Sequence, residues 1–341
     1  MMPDLRSLTY EELEKFITDM GEPRFRAGQI FSWLHQKGAN SFDEMTSLSK
    51  QLRERLCECS YISRAHIEQK FVSKLDGTIK YLIGFDDGEC VETVVMRYHH
   101  GITVCISSQV GCQMGCNFCA STIGGKKRDL LAGEIILQVL LAQKDIGERI
   151  SNIVMMGIGE PLDNFESVKR FLINVNDERG INIGYRHITL STCGVVDNIY
   201  ELAKMNLPIT LSVSLHAPND DIRNATMPVN KRWNIDTLLE SLRYYQSVTT
   251  RRITFEYAMI ENVNDSSDNA RELAKRLSGI MCHVNLIPVN NVEERKYKKS
   301  SDEAIKNFIK ILESSGIAAT VRRSLGSDIS ASCGQLRQKR L

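Results

Sequence analysis

GCQMGCNFCAS, residues 111–121, sets Cys112, Cys116 and Cys119 at C-x3-C-x2-C spacing on a polar loop rich in glycine. Iron–sulfur clusters are normally held by four Cys thiolates. Three thiolates with no obvious fourth therefore leave one iron of a four-iron cluster to a ligand that is not protein. A structural zinc site is the plain alternative, but zinc takes four closed ligands, usually as two Cys or His pairs, and the chain has no second C-x2-C pair. The spacing favours a cluster with an open iron.

Working outward, the loop follows a β-branched run, ITVCIS (102–107), and further runs of the same kind recur downstream: NIVMMG (152–157), HITLS (187–191), ITLSVSL (209–215), ITFEYAM (253–259) and HVNLIP (283–288). Amphipathic helical patterns fall between them at 133–145, 165–176, 236–247 and 266–277, and a helix at 301–315 precedes a last strand, AATVRR (318–323). Repeated βα units predict an α/β fold, a partial (βα)6-type barrel with ligand loops at the C-terminal ends of the strands. Upstream, IKYLIGF (79–85) and VETVVMRY (91–98) flank the turn Asp86-Asp87-Gly88 and read as a β-hairpin, while the first ~60 residues show helical spacing. The organisation expected is a helical accessory module over 1–75, a hairpin linker over 76–97, a core over 98–328 and a tail over 329–341.

The 341 residues, 42% hydrophobic, can bury a sizeable core. No apolar run is long enough to span a membrane and the first residues lack an apolar signal core, so a cytoplasmic protein is expected. Ten cysteines in that compartment read as metal ligands or redox groups rather than disulfides. A net charge of +1 says little about nucleic acid. Local clusters say more: Lys126, Lys127 and Arg128; Arg295, Lys296, Lys298 and Lys299; Arg322 and Arg323; and Arg337, Lys339 and Arg340. Such runs are usually solvated faces, and the basic, aromatic helix FRAGQIFSWLHQKG (25–38) reads more often as the amphipathic face of a packed helix, though both could meet RNA.

Polar residues collect at the strand ends. The three cysteines follow strand one, Gly159 and Glu160 follow strand two, Ser191 ends strand three, Ser214 and His216 end strand four, and Asn290 follows strand six. Singly they read as a turn, a helix cap or a satisfied histidine. Their shared position favours one convergent pocket.

The C-x3-C-x2-C spacing is that of radical S-adenosylmethionine (SAM) enzymes. Together, VETVVM, CISSQVGCQMGCNFCA, MMGIGEPL, LSTCGVV, SVSLHAP, HVNLIPVN and SDISASCGQL resemble the RlmN/Cfr family of radical SAM RNA methyltransferases, from about Glu92 to Leu336. The resemblance implies a 4Fe-4S cluster on Cys112, Cys116 and Cys119, with two SAM molecules used per turnover. It places SAM contacts at Gly159, Glu160, Ser191, Ser214, Leu215, His216 and Asn290. It also implies that Cys333 carries a methyl group as S-methylcysteine, that Cys105 resolves the protein–RNA adduct through a transient disulfide, and that Glu92 takes the ring proton. Thiolate attack at sulfur is ordinary exchange chemistry. Without the family, Cys105 reads as a small hydrophobe, Cys333 as part of a mobile, inert tail, and Glu92 as an exposed strand carboxylate.

The partners implied are 23S rRNA, tRNA and an electron donor such as flavodoxin or ferredoxin. GEPL and GQLR, where Cfr-like sequences tend to have GEAL and GQLYG, favour the RlmN branch, which methylates carbon 2 of adenosine, over the carbon-8 chemistry of Cfr that confers antibiotic resistance. A radical enzyme acting on a protein or small molecule would share the loop and the βα array but would not need Cys105, Cys333 and Glu92 together.

Overall fold

The structure is a computed structural model describing residues 2–290 and 292–337; Lys339 and Arg340 of the tail cluster lie outside the described residues. Three helices open the chain: α1 (Tyr10–Asp19), α2 (Phe25–His35) and α3 (Lys50–Cys59). Thr9 starts α1 with a capping box, its hydroxyl accepting from Glu12 N while the Glu12 carboxylate accepts from Thr9 N. Leu13, Ile17, Ile30, Phe31, Leu34 and Leu56 recur at helical spacing and build a core cluster separate from the main one.

Arg6 fastens this module from inside. It is fully buried, and its guanidinium donates to the carbonyls of Leu34 (2.9 Å), Ala39 (2.6 Å) and Ser63 (3.2 Å). Arg6→Met is expected to cost about 3 kcal/mol, since three buried carbonyls lose a charged donor. Denaturant unfolding followed by Trp33 fluorescence measures this; an unchanged midpoint would show that the carbonyls find other partners.

Ten strands form one mixed sheet. The first four, β1 (Ala65–Val72), β2 (Ile79–Phe85), β3 (Cys90–Tyr98) and β4 (Gly101–Cys105), pair antiparallel. From β4 the sheet continues in parallel through β7 (Asn152–Met155), β8 (Ile188–Thr192), β9 (Thr210–Ser214), β10 (Ile253–Met259), β11 (Cys282–Pro288) and β12 (Ala318–Val321). The crossovers run through α4 (Ala132–Ile146), α5 (Phe165–Asn176), α6 (Val196–Lys204), α7 (Asp220–Thr226) with α8 (Ile235–Thr249), α9 (Ser267–Leu277) and α10 (Asp302–Ser314). Between β4 and α4, β5 (Gln109–Gly111) and β6 (Lys126–Asp129) form a small antiparallel pair that brackets the cysteine loop.

Two features depart from the sequence reading. Ala65–Val72, inside the stretch expected to be helical, is an edge strand bulged between Ile67 and Gln69. The expected hairpin linker is the middle of a four-stranded antiparallel section continuous with the parallel one. Side chains of directly paired residues share a face of a sheet. The register Val94↔Cys105↔Val154↔Thr189 and Ser191↔Ser212↔Thr254, with Ser214↔Glu256↔Asn285, therefore carries one inner face across both sections. Glu92, two residues before Val94, lies on that face with Cys105.

Candidate active site

Backbone geometry and hydrogen bonds tie the cysteine loop to the elements around it. Gly111 has φ +78°, and a Cβ there would sit 1.9 Å from the Gly125 carbonyl oxygen, so the turn into Cys112 requires glycine. Cys112 N donates to that same carbonyl at 3.0 Å. Asn117 ties the loop to the end of α7, its N donating to Thr226 O (2.9 Å) and its side chain to Ala225 O (2.6 Å). Arg295 donates to Cys119 O (3.3 Å) and Thr122 Oγ1 (3.0 Å).

Cys112, Cys116 and Cys119 line one cavity with Gly159, Glu160, Ser191, Ser214, His216, Asn290 and Cys333. Among the expected site residues, Leu215, Glu92 and Cys105 are not on its wall: Leu215 packs in the core, and the other two lie deeper on the inner face. Gly159, at φ +104°, turns the chain so that Glu160 N donates to Gln109 Oε1 at 2.9 Å; a Cβ on Gly159 would meet Gln109 Cβ at 2.6 Å. The Glu160 carboxylate accepts from Cys193 N (2.7 Å) and Leu162 N (3.0 Å), although burial still pushes its pKa up. His216 has two kinds of surroundings. It lines the cavity, yet its Nδ1 accepts from Ala258 N at 2.9 Å, and burial lowers its pKa to about 3, so the ring is neutral.

The tail is stitched to the loop rather than loose. Asn290 Nδ2 donates to Cys333 O (3.0 Å), Ala120 N to Gly334 O (2.7 Å), and Ser121 Oγ to Leu336 O (2.7 Å). Arg337 N then donates to Glu92 Oε2 at 2.7 Å. Glu92 is only 4% exposed, against the exposed strand carboxylate that its position alone suggests. Cys105 is buried, and burial first, then the Cys333 sulfur, pushes its pKa up to about 12.

Among the cavity residues absent from the sequence expectation of the pocket are Met156, Cys193, Glu256 and Arg322. Glu256 accepts from Ser212 Oγ (2.8 Å) and Asn285 Nδ2 (2.9 Å). Arg322 donates to Met156 Sδ at 3.1 Å and lies 3.8 Å from Glu256 Oε2. Cys333 first, then Glu256 and Cys105, holds its guanidinium charged against the effect of burial. A charged residue at an inward position of an otherwise apolar strand was the available signal for Glu256. The basic clusters are largely spent inside the molecule: Lys126 pairs with Asp129 and Asp163, Lys127 with Glu89, Arg128 with Asp87 and Glu134, and Lys299 with Asp302.

Residues 3–62 match the ribosomal RNA large subunit methyltransferase N-terminal domain, and residues 106–276 match the radical SAM superfamily. A "Probable dual-specificity RNA methyltransferase RlmN" of Alkaliphilus oremlandii is 58% identical over 99% of this chain and 98% of its own. The chain belongs to the RlmN family of radical SAM dual-specificity RNA methyltransferases. A protein of the same description from Clostridium novyi is 50% identical over 99% of this chain and 98% of its own. The crystal structure of a radical SAM methyltransferase from Sphaerobacter thermophilus superposes with a TM-score of 0.92 at 45% identity, covering 99% of this chain and all of that one.

An RlmN-family enzyme works with a 4Fe-4S cluster and SAM, and the donor set fits both. Burial pushes Cys112 up to about 12 and raises Cys116 and Cys119, so these thiols become thiolates when iron takes the place of their protons. Glu160, Ser191, Ser214 and Asn290 provide polar groups on the same walls for an amino acid and a nucleoside. No helix among the described residues is long and apolar enough to cross a membrane.

Proposed function

We propose that this enzyme methylates carbon 2 of an adenosine in the peptidyl transferase centre of 23S rRNA and of the adenosine just 3′ of the anticodon in tRNA, working in the cytoplasm with an electron donor such as flavodoxin or ferredoxin. The observation that carries the reading is the placement of Cys333 on the same cavity wall as Cys112, Cys116 and Cys119. When bound, the cluster and SAM supply methyl groups and one-electron chemistry suited to a ring carbon that carries no acidic proton.

The chain's own residues divide the remaining work. Cys112, Cys116 and Cys119 hold the cluster, while Gly159, Glu160, Ser191, Ser214, His216 and Asn290, with the adjoining Leu215 backbone, hold SAM. Cys333 carries the methyl carbon to the base. Its sulfur is set by two anchors, Asn290 on its own carbonyl and Ala120 on that of Gly334. Glu92, on the same face as Cys105, accepts the ring proton. Cys105 then bonds to the Cys333 sulfur as the bond from that sulfur to the transferred carbon breaks, and the carbon takes up a proton as the methylated base departs; burial pushes the Cys105 thiol up to about 12, so it gives up its own proton in this step. The adenine must be unstacked to reach this depth. Residues 1–75 and the helix 25–38 face RNA in this reading, with 98–328 performing the chemistry and 329–341 delivering Cys333.

Anaerobic incubation with SAM, a reductant, and unmodified 23S rRNA fragment or tRNA, followed by digestion and mass spectrometry, tests this. 2-Methyladenosine is expected from both RNAs. 8-Methyladenosine would move the enzyme to the Cfr reaction, and neither product from cluster-loaded protein would overturn the assignment.

A further inference from the structure

Lys80 on β2 is a charged residue in a place where packing alone would favour an apolar one. The pairing Lys80↔Val94 and Leu82↔Glu92 puts it diagonally beside Glu92 on the inner face. Its Nζ lies 2.9 Å from Glu92 Oε1, with the two side chains only 9% and 6% exposed. The same Nζ reaches the Ser330 carbonyl oxygen at 3.5 Å, three residues before Cys333, and stands 5.3 Å from the centre of the Phe71 ring. Arg337 N occupies the other carboxylate oxygen of Glu92. Glu92 is thus held between β2 and the tail.

We propose that Lys80 is a positioning residue that keeps the Glu92 carboxylate in place and ionised for its proton-accepting role. The inference rests on the reading of Glu92 as proton acceptor. Burial pushes Glu92 up, and the charged groups opposing it are Lys80 from β2 and Arg337 from the tail, whose guanidinium is engaged with Glu294. With the ammonium removed, burial is less opposed and the carboxyl ionises only at higher pH. Proton acceptance is lost as pH falls through that value, so the acidic limb of RNA methylation moves up.

The test uses full-length, anaerobically reconstituted protein and two readouts: the fraction of Cys333 carrying a methyl group, by intact mass, and the rate of tRNA methylation across pH. Lys80→Met is expected to leave Cys333 methylation intact, which also reports a folded, loaded enzyme. It is expected to shift the acidic limb of the RNA methylation profile to higher pH, slowing the reaction most at the acidic end, with recovery as pH rises. Lys80→Arg is expected to retain the wild-type profile. An unshifted profile in Lys80→Met overturns the proposal, and so does a loss equal at every pH and shared by Lys80→Arg, which would mark a packing role. Glu92→Gln separates this from the reading beneath it: that variant is expected to methylate no RNA at any pH, and normal turnover by it would remove the role of Glu92 whatever Lys80 does.

Discussion

Cys105→Ala protein is expected to trap its substrate, migrating on a denaturing gel as a covalent complex with RNA, whereas Cys333→Ala yields neither complex nor methylated RNA. The contrast follows from where the two sulfurs sit. Cys333 lies on the cavity wall with the cysteine loop, so it alone of the pair meets the cofactor space. Cys105 lies behind it on β4, buried and close enough for the two sulfurs to influence each other. In the proposed reaction, removing the sulfur that carries the methyl carbon stops turnover before the base is touched, and removing the resolving sulfur stops it after. Each variant is expected to lose free product on the order of a thousandfold or more, as when a covalent nucleophile is deleted. Free methylated RNA from either at near wild-type rate would defeat the two-cysteine scheme.

Cys112→Ala is expected to lose the cluster. Anaerobic reconstitution should leave iron near background and remove the broad visible absorption, because a two-thiolate remnant cannot close three corners of a four-iron cube. Cys193→Ala provides the contrast. Its thiol also lines the cavity, but it is hydrogen-bonded toward Glu160 and should leave iron content unchanged. A normal spectrum in Cys112→Ala would overturn the ligand set.

The parallel half of the fold was legible because its strands are β-branched runs separated by helices with a clear apolar stripe: ITFEYAM and the helix 165–176 coincide with the observed elements. β1 was not. As an edge strand, AHIEQKFV is half exposed and interrupted by a bulge, so neither alternation nor a buried run announces it. β5 and β6 are three and four residues long and formed by the loop they bracket. At the site, motif residues could be placed on strand ends, but no spacing rule reveals the partners of Glu256, Arg322 or Lys80. Each is one charge in an extended segment, and what gives it meaning is a partner from a distant strand. The basic clusters could not be assigned from sequence either, since a run of cations looks the same whether it faces RNA or neighbouring carboxylates.

The continuity of the inner face from β3 into β4 sets how this enzyme can tolerate insertions. The turn at Asp86, Asp87 and Gly88 leads into β3, and extra residues there would bulge into solvent while the pairing of β3 stayed in place. One residue inserted between Glu92 and Val94, with the β3–β4 pairing kept, would instead rotate the carboxylate to the outer face, away from Cys105 and the tail. Loss of a single chemical group would then arise with every original side chain still present in the chain.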